Sequence, residues 1–146
     1  MKETIKDIFV EGAITPEKIA KSIRAHQSKT GIGAHDLFLG QVRADVKNDK
    51  KVQAIEFTAQ RDMANQICHE IKEATFIKYP IHCMHIYHSI GTVNTGELCI
   101  FVFMSATHRS TVFEALQEVV NEIKANVPIF GKELYVDQSH SWKKNN

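Results

Sequence analysis

Apolar positions recur at two different periods along this chain, and the switches between them outline the elements. Ile5 to Val10 reads as a short strand. Thr15-Pro16-Glu17 then predicts a helix start, because Thr can cap while Pro occupies a position where no N–H is needed. Ile19, Ala20 and Ile23 form its apolar face, and the polar segment Ser28-Lys29-Thr30-Gly31 stops it. Ala34 to Val42 predicts a strand in which Gly40 leaves room for a close neighbour, followed by a charged, mobile loop from Ala44 to Lys51. Val52 to Phe57 resumes as a strand. Met63, Ile67, Ile71 and Ala74 recur at helical spacing and predict a helix over Arg61 to Lys78. Ile81 to His88 and Glu97 to Met104 predict strands joined by a turn at Val93-Asn94-Thr95-Gly96. The second of these is apolar on both faces, which places it in the middle of a sheet. Phe113, Leu116, Val120, Ile123 and Val127 give a long helix its buried stripe. Gly131 to Val136 closes the pattern as a last strand, ahead of a flexible polar tail over residues 138–146 that carries the only tryptophan, Trp142. Strands and helices mix without strict alternation, so an α+β fold is expected rather than a doubly wound sheet.

The chain's 146 residues suit one domain over residues 1–146. Eighteen Lys plus Arg against 17 Asp plus Glu leave a formal net charge of +1, without the basic excess of a nucleic-acid binder. The longest apolar run, Leu98 to Met104, is far too short to cross a bilayer, and Met1-Lys2-Glu3-Thr4 does not begin a signal peptide. Cys68, Cys83 and Cys99 are odd in number and scattered through periodic segments, as free thiols in a reducing, cytoplasmic compartment would be.

Candidate chemistry concentrates between Ser105 and Glu133. His108-Arg109 falls where a strand hands over to a helix, and a helix start offers unpaired N–H groups and a positive dipole end to an anion. A simple capping role for Thr107 or His108 explains the same residues equally well. Lys124 lies near the far end of that helix, where the dipole alone favours a lysine. Lys132 follows a Pro-aromatic-Gly corner, and Arg43 ends a strand beside the charged loop, so both are further cations that can meet an anionic small molecule. His82, His85 and His88 with Cys83 do not make a metal site, because alternation in a strand sends His82 and His88 one way and Cys83 and His85 the other. No metal is expected.

The ordered series of motifs is more specific than any of its members. Gly33-Ala34 leads to Phe38-Leu39-Gly40-Gln41-Val42-Arg43, then come Met63-Ala64, His88-Ser89-Ile90-Gly91 and Gly96-Glu97. Ser105-Ala106-Thr107-His108-Arg109-Ser110 precedes Phe113-Glu114-Ala115, Lys124, Val127-Pro128-Ile129-Phe130, Lys132-Glu133 and Trp142. On these residues the chain resembles the large, catalytic subunit of molybdopterin synthase, the MoaE family. The resemblance implies an α/β hammerhead-type α+β domain, with helices packed on a mixed, largely antiparallel sheet. It also implies a homodimer that binds a small ubiquitin-like subunit on each protomer, forming a heterotetramer. The small subunit's C-terminal Gly-Gly tail carries a thiocarboxylate, the substrate is cyclic pyranopterin monophosphate, and no cofactor is needed.

Carried over residue by residue, the resemblance assigns substrate binding to Gln41, Val42, Arg43, His108, Arg109, Gly131 and Glu133. It assigns both binding and catalysis to Lys124 and Lys132. Gly131 stands where the family carries a second catalytic lysine. The freedom of glycine at positive φ lets a bulge re-aim the next residue, Lys132, into the pocket. A non-catalytic relative that binds partner and pterin without turnover is the competing expectation.

Overall fold

The computed structural model describes residues 4–143. Its elements, in chain order, are β1 (Phe9–Glu11), α1 (Pro16–His26), β2 (Ala34–Gln41), β3 (Val46–Lys47), β4 (Lys50–Ala59) and α2 (Arg61–Lys78). They continue with β5 (Ile81–Asn94), β6 (Leu98–Ala106), α3 (Arg109–Asn126), β7 (Ile129–Tyr135) and β8 (His140–Trp142). The strands form one sheet in the order β2-β6-β5-β4-β7-β8, with β3 pairing β4 off this path and β1 added parallel to β5. Every other pairing is antiparallel, giving the expected mixed, largely antiparallel α+β sheet.

β5 organises the fold. Its first part, Ile81 to His88, pairs with β6, and Gly91 to Asn94 pairs with β4. Gly91 sits between the two stretches at φ +86°, a conformation that favours glycine and turns the strand from one partner to the other. β6 is flanked by β2 and β5, and Ile100 through Ala106 are all buried, as its two-sided apolar pattern requires.

Helices cover both faces. Ile100, Val102 and Met104 of β6 pack with Met84 and Ile86 under α2 and α3, while Phe101 and Phe103 pack with Ile14, Ile19 and Ile23 beneath α1. A third cluster, Val42, Ile55, Phe57 and Val93, fills the far side of the Gly91 bend. Thr15 caps α1 as expected, its side chain accepting the Lys18 N–H.

The expected apolar stripes hold in part. Leu116, Ile123 and Val127 are buried, and Ile67, Ile71 and Val120 pack against the core, but Met63 is 55% and Phe113 58% exposed. Ala64 and Ala115 are buried beside them, where their small size lets the helix axes approach the sheet, and the larger Met63 and Phe113 lie at the flanks.

Three further differences have local causes. The first strand is Phe9–Glu11 rather than Ile5 to Val10, because pairing begins only where β5 lies alongside. The expected loop at Ala44 to Lys51 is a tight hairpin of β3 with β4, whose corner residues Asn48 and Asp49 hold positive φ values of 51° and 62°. The tail expected to be flexible carries β8, paired with β7 through Lys132–Trp142, Glu133–Ser141 and Leu134–His140; residues 144–146 of that expectation lie outside the described residues.

A Cβ at Gly40 would fall 2.4 Å from Cγ2 of Ile100. Ile is stiff at χ1 and cannot swing aside cheaply. Gly40→Ala is therefore expected to destabilise the chain by about 1–3 kcal/mol through overpacking. The urea midpoint checks this, and an unchanged midpoint would contradict the packing.

Candidate active site

α3 separates the cationic residues into two places. At its start, His108 is the N-cap residue in extended conformation without a side-chain cap bond, and the first turn holds no acidic residue. The capping role considered for His108 is thus not taken up. Gly33, Ala34, Thr107, His108, Arg109 and Ser110 line an open depression there. The Thr107 hydroxyl is engaged elsewhere, donating to the Gly31 carbonyl at 3.3 Å and lying 3.0 Å from His82 Nε2. The helix start therefore keeps its free N–H groups and dipole for an anion, with the Arg109 guanidinium beside them.

Lys124 occupies the other end, about 22 Å further along the helix axis. It lines a small cavity of about 50 Å³ with Phe57, His88, Cys99, Ile100, Ile123, Val127, Ile129, Gly131 and Lys143. These residues come from α3 and from β4, β5, β6 and β7, so the cavity lies where the two parts of the sheet meet under the helix. Wider clefts beside α2, of about 460 and 580 Å³, are lined in part by groups already paired, His69 with Glu73 and Lys78 with Glu118.

The chemistry of the small cavity follows from burial. No carboxylate pairs with Lys124 among the described residues, and burial pushes its ammonium below the ordinary lysine range; Cys99 opposes that shift and Lys143 adds to it. Burial raises the Cys99 thiol, whose Sγ lies 3.5 Å from the Gly40 carbonyl. His88 is pushed down to about 4 by burial, against the bond to Ser89 and with the Lys124 charge. Its Nδ1 lies 2.8 Å from the Ser89 carbonyl, which can only accept, so Nδ1 carries the proton and Nε2 is the bare acceptor. Phe57 packs edge-on against this imidazole at 5.0 Å.

The residues assigned from sequence are divided by this geometry. Val42 is buried in the third core cluster, so it supports the site through packing, while Gln41 and Arg43 are exposed on either side of it and Arg43 pairs with Asp45 at 3.3 Å. Gly131 lines the cavity with Lys124. Glu133 is buried and pairs with Lys47 of the β3–β4 hairpin at 2.6 Å.

Lys132 does not join them. The β4–β7 register runs without interruption through Phe57–Gly131 and Glu56–Lys132, so the expected bulge at Gly131 is absent and Gly131 does not use positive φ. One residue along a strand reverses the face. Lys132 accordingly pairs with Glu56 at 3.4 Å and lies 5.9 Å from the Trp142 ring, on the side away from Lys124. Phe57, Cys99 and Lys143 were missed by sequence reasoning; none sits in a chemical motif, and only the cross-strand register brings them together.

The fold is an α+β scaffold with an unpaired, half-buried lysine at a sheet junction and a cationic helix start at the other end of α3. The family model described as MoaE protein matches residues 10–126, and the chain belongs to the MoaE family. It is 33% identical over 117 residues to the molybdopterin synthase catalytic subunit of Bos taurus, covering 77% of this chain and 59% of that protein. It is 34% identical over 115 residues to the protein of the same name from Pyrococcus abyssi, covering 79% and 76%. The chain thus spans 59% of the length of its bovine and human relatives. The crystal structure of molybdopterin synthase from Staphylococcus aureus superimposes with a TM-score of 0.82 at 26% identity, covering 97% of this chain and 99% of that one. The complex of subunits 1 and 2 of molybdopterin-converting factor from Helicobacter pylori shares the fold, with a TM-score of 0.79 at 19% identity over 94% and 90% of the chains. The family match ends before β7, so Gly131, Lys132 and Lys143 lie beyond it.

Between pH 6.5 and 4 the unfolded chain protonates His88 and the folded chain does not, so stability falls as pH drops through this window. The loss expected from His88 is about 2 kcal/mol between pH 7 and pH 5. His85, also pushed down to about 4 by burial, acts in the same direction. Urea midpoints at the two pH values test this, and equal midpoints would contradict the buried neutral imidazoles.

Proposed function

We propose that this chain is the catalytic subunit of a molybdopterin synthase, moving sulfur from a thiocarboxylated small ubiquitin-like subunit to cyclic pyranopterin monophosphate. The observation that carries the reading is Lys124, a lysine with a lowered pKa lining a narrow cavity at a sheet junction. A cavity of about 50 Å³ suits the end of an extended Gly-Gly tail better than a pterin, which then sits over its mouth. As the thiocarboxylate sulfur bonds to the pterin carbon, the carbon–oxygen bond there breaks, and the Lys124 ammonium gives its proton to the departing oxygen. In its protonated form Lys124 stabilises negative charge on the acyl oxygen while water releases the tail as a carboxylate. Each tail delivers one sulfur, so the dithiolene needs two small subunits in succession.

The pterin phosphate needs cations that Lys124 alone does not supply. Gln41 ends β2 and Arg43 follows it, at the Lys124 end of the sheet, where Gly40 meets Cys99. His108 and Arg109 are too far along α3 to reach the same small molecule within one protomer. In the proposed homodimer they serve the neighbouring protomer's pocket. Support comes from β2, which ends the strand order with its outer edge unpaired among the described residues, and from Phe113, exposed in the groove beside it. With one small subunit on each protomer the assembly is a heterotetramer, and its proposed place is the cytoplasm; no described helix is long and apolar enough to cross a membrane.

A second reading, binding of partner and pterin without turnover, is favoured by the missing side chain at Gly131. Single-turnover mass spectrometry with the thiocarboxylated small subunit and cyclic pyranopterin monophosphate separates the two. A product that gains two sulfurs is expected, and binding without sulfur transfer would favour the second reading. Lys124→Ala is expected to lower the rate by at least a factor of about 100 while leaving thermal unfolding little changed. Retained turnover would sink the assignment.

Mixing Arg109→Ala protomers with Lys124→Ala protomers tests the shared site. A composite site regains about a quarter of wild-type activity in the mixture, because half the dimers are mixed and each of those holds one intact pocket. A site confined to one protomer regains none.

A further inference from the structure

Gly131 leaves a gap in the cavity, and the strand beside it brings a lysine to that gap. β8 runs antiparallel to β7 with Lys132 opposite Trp142 and Glu133 opposite Ser141, so one further step places Lys143 opposite Gly131. The Lys143 N–H donates to the Gly131 carbonyl at 2.8 Å, which extends the ladder to this pair. Side chains alternate along a strand and directly opposed residues share a face. Trp142 lies beside Lys132 on the outer face, so Lys143 points to the inner one, and it lines the cavity with Lys124, Cys99 and Gly131. Its charge acts on both Lys124 and Cys99.

A side chain growing from Gly131 would press on Ile55 and Phe57. A Cβ there would lie 3.0 Å from Cγ2 of Ile55 and 3.3 Å from Cε1 of Phe57. A lysine entering from the neighbouring strand, about 5 Å away, approaches from outside that contact.

We propose that Lys143 is the second cation of the Lys124 pocket, delivered by β8 across the ladder from Gly131 and contacting the reacting acyl group or the pterin phosphate. Resting on the sulfur-transfer reading above, it assigns a role to a residue outside the family match and removes Lys132 from the chemistry. Two like charges beside one cavity make a site for an anionic tail, and the Lys143 charge helps make the Lys124 ammonium easier to deprotonate. Lys143 is exposed, so its side chain is free to turn toward the cavity.

Lys143→Ala and Lys143→Arg test this in the complete complex with the thiocarboxylated small subunit and cyclic pyranopterin monophosphate. The alanine variant is expected to slow single-turnover sulfur transfer by a factor of about 100 or more, and arginine to restore much of the rate. In parallel, NMR of reductively ¹³C-methylated protein follows the titration of Lys124, flanked by His88, Cys99 and Lys143. Loss of the Lys143 charge is expected to move that titration upward, a change that loss of β8 packing on the outer face would not produce. Turnover within twofold of wild type, or an unmoved Lys124 titration, overturns the proposal. Absence of transfer by the wild-type complex counts against the sulfur-transfer reading instead, and the Lys124 titration still decides whether Lys143 occupies the pocket.

Discussion

β5 must pair with two different strands along one edge-to-edge course, β6 first and β4 after the Gly91 bend, and the rest of the molecule is arranged around that requirement. Its first stretch is buried between β6 and β1 and its last stretch is paired with β4, with Gly91 turning the chain between them. Of the strands that carry cavity residues, β6 and β4 pair with β5, and β7 pairs with β4. Under the bend the two parts cannot close completely on each other, and α3 covers the seam. The cavity is the space left there, and Lys124 is the helix residue above it.

Burial then sets the chemistry without any dedicated acid–base pair. Lys124 has no carboxylate partner among the described residues, so desolvation makes its ammonium easier to deprotonate. The same desolvation keeps His88 neutral and Cys99 protonated, so neither supplies a fixed charge. A positively charged lysine in such surroundings attracts an anion strongly, because little water is present to screen it. The surface pairs Lys132–Glu56 and Arg43–Asp45 are solvent-screened and contribute little to stability.

Periodic signals were legible wherever the elements were long. The bounds of α2 agree with the spacing of its apolar residues, and β6 lies in the middle of the sheet because its two-sided apolar pattern admits no solvent face. The stripes within α2 and α3 were less legible, since Met63 and Phe113 look like core residues by size while Ala64 and Ala115 do the close packing. The Val46–Lys47 hairpin and the His140–Trp142 strand were illegible for a different reason. Both are short and polar, and both exist because a neighbouring strand offers a ladder to complete.

By itself the sequence determined the α+β class, the cationic ends of the long helix, and the motif series that belongs to the MoaE family, because each is written in local spacing and residue type. It also located the break at Gly131. Only the tertiary structure decided which cations share a pocket. The face a strand residue presents depends on register and on the absence or presence of a bulge, and these are fixed by pairing with strands distant in sequence. The β4–β7 register, unbroken at Gly131, turns Lys132 outward, and the β7–β8 ladder sets Lys143 opposite Gly131. The length of α3 keeps Arg109 away from Lys124 in the same protomer, a distance that no list of motifs expresses.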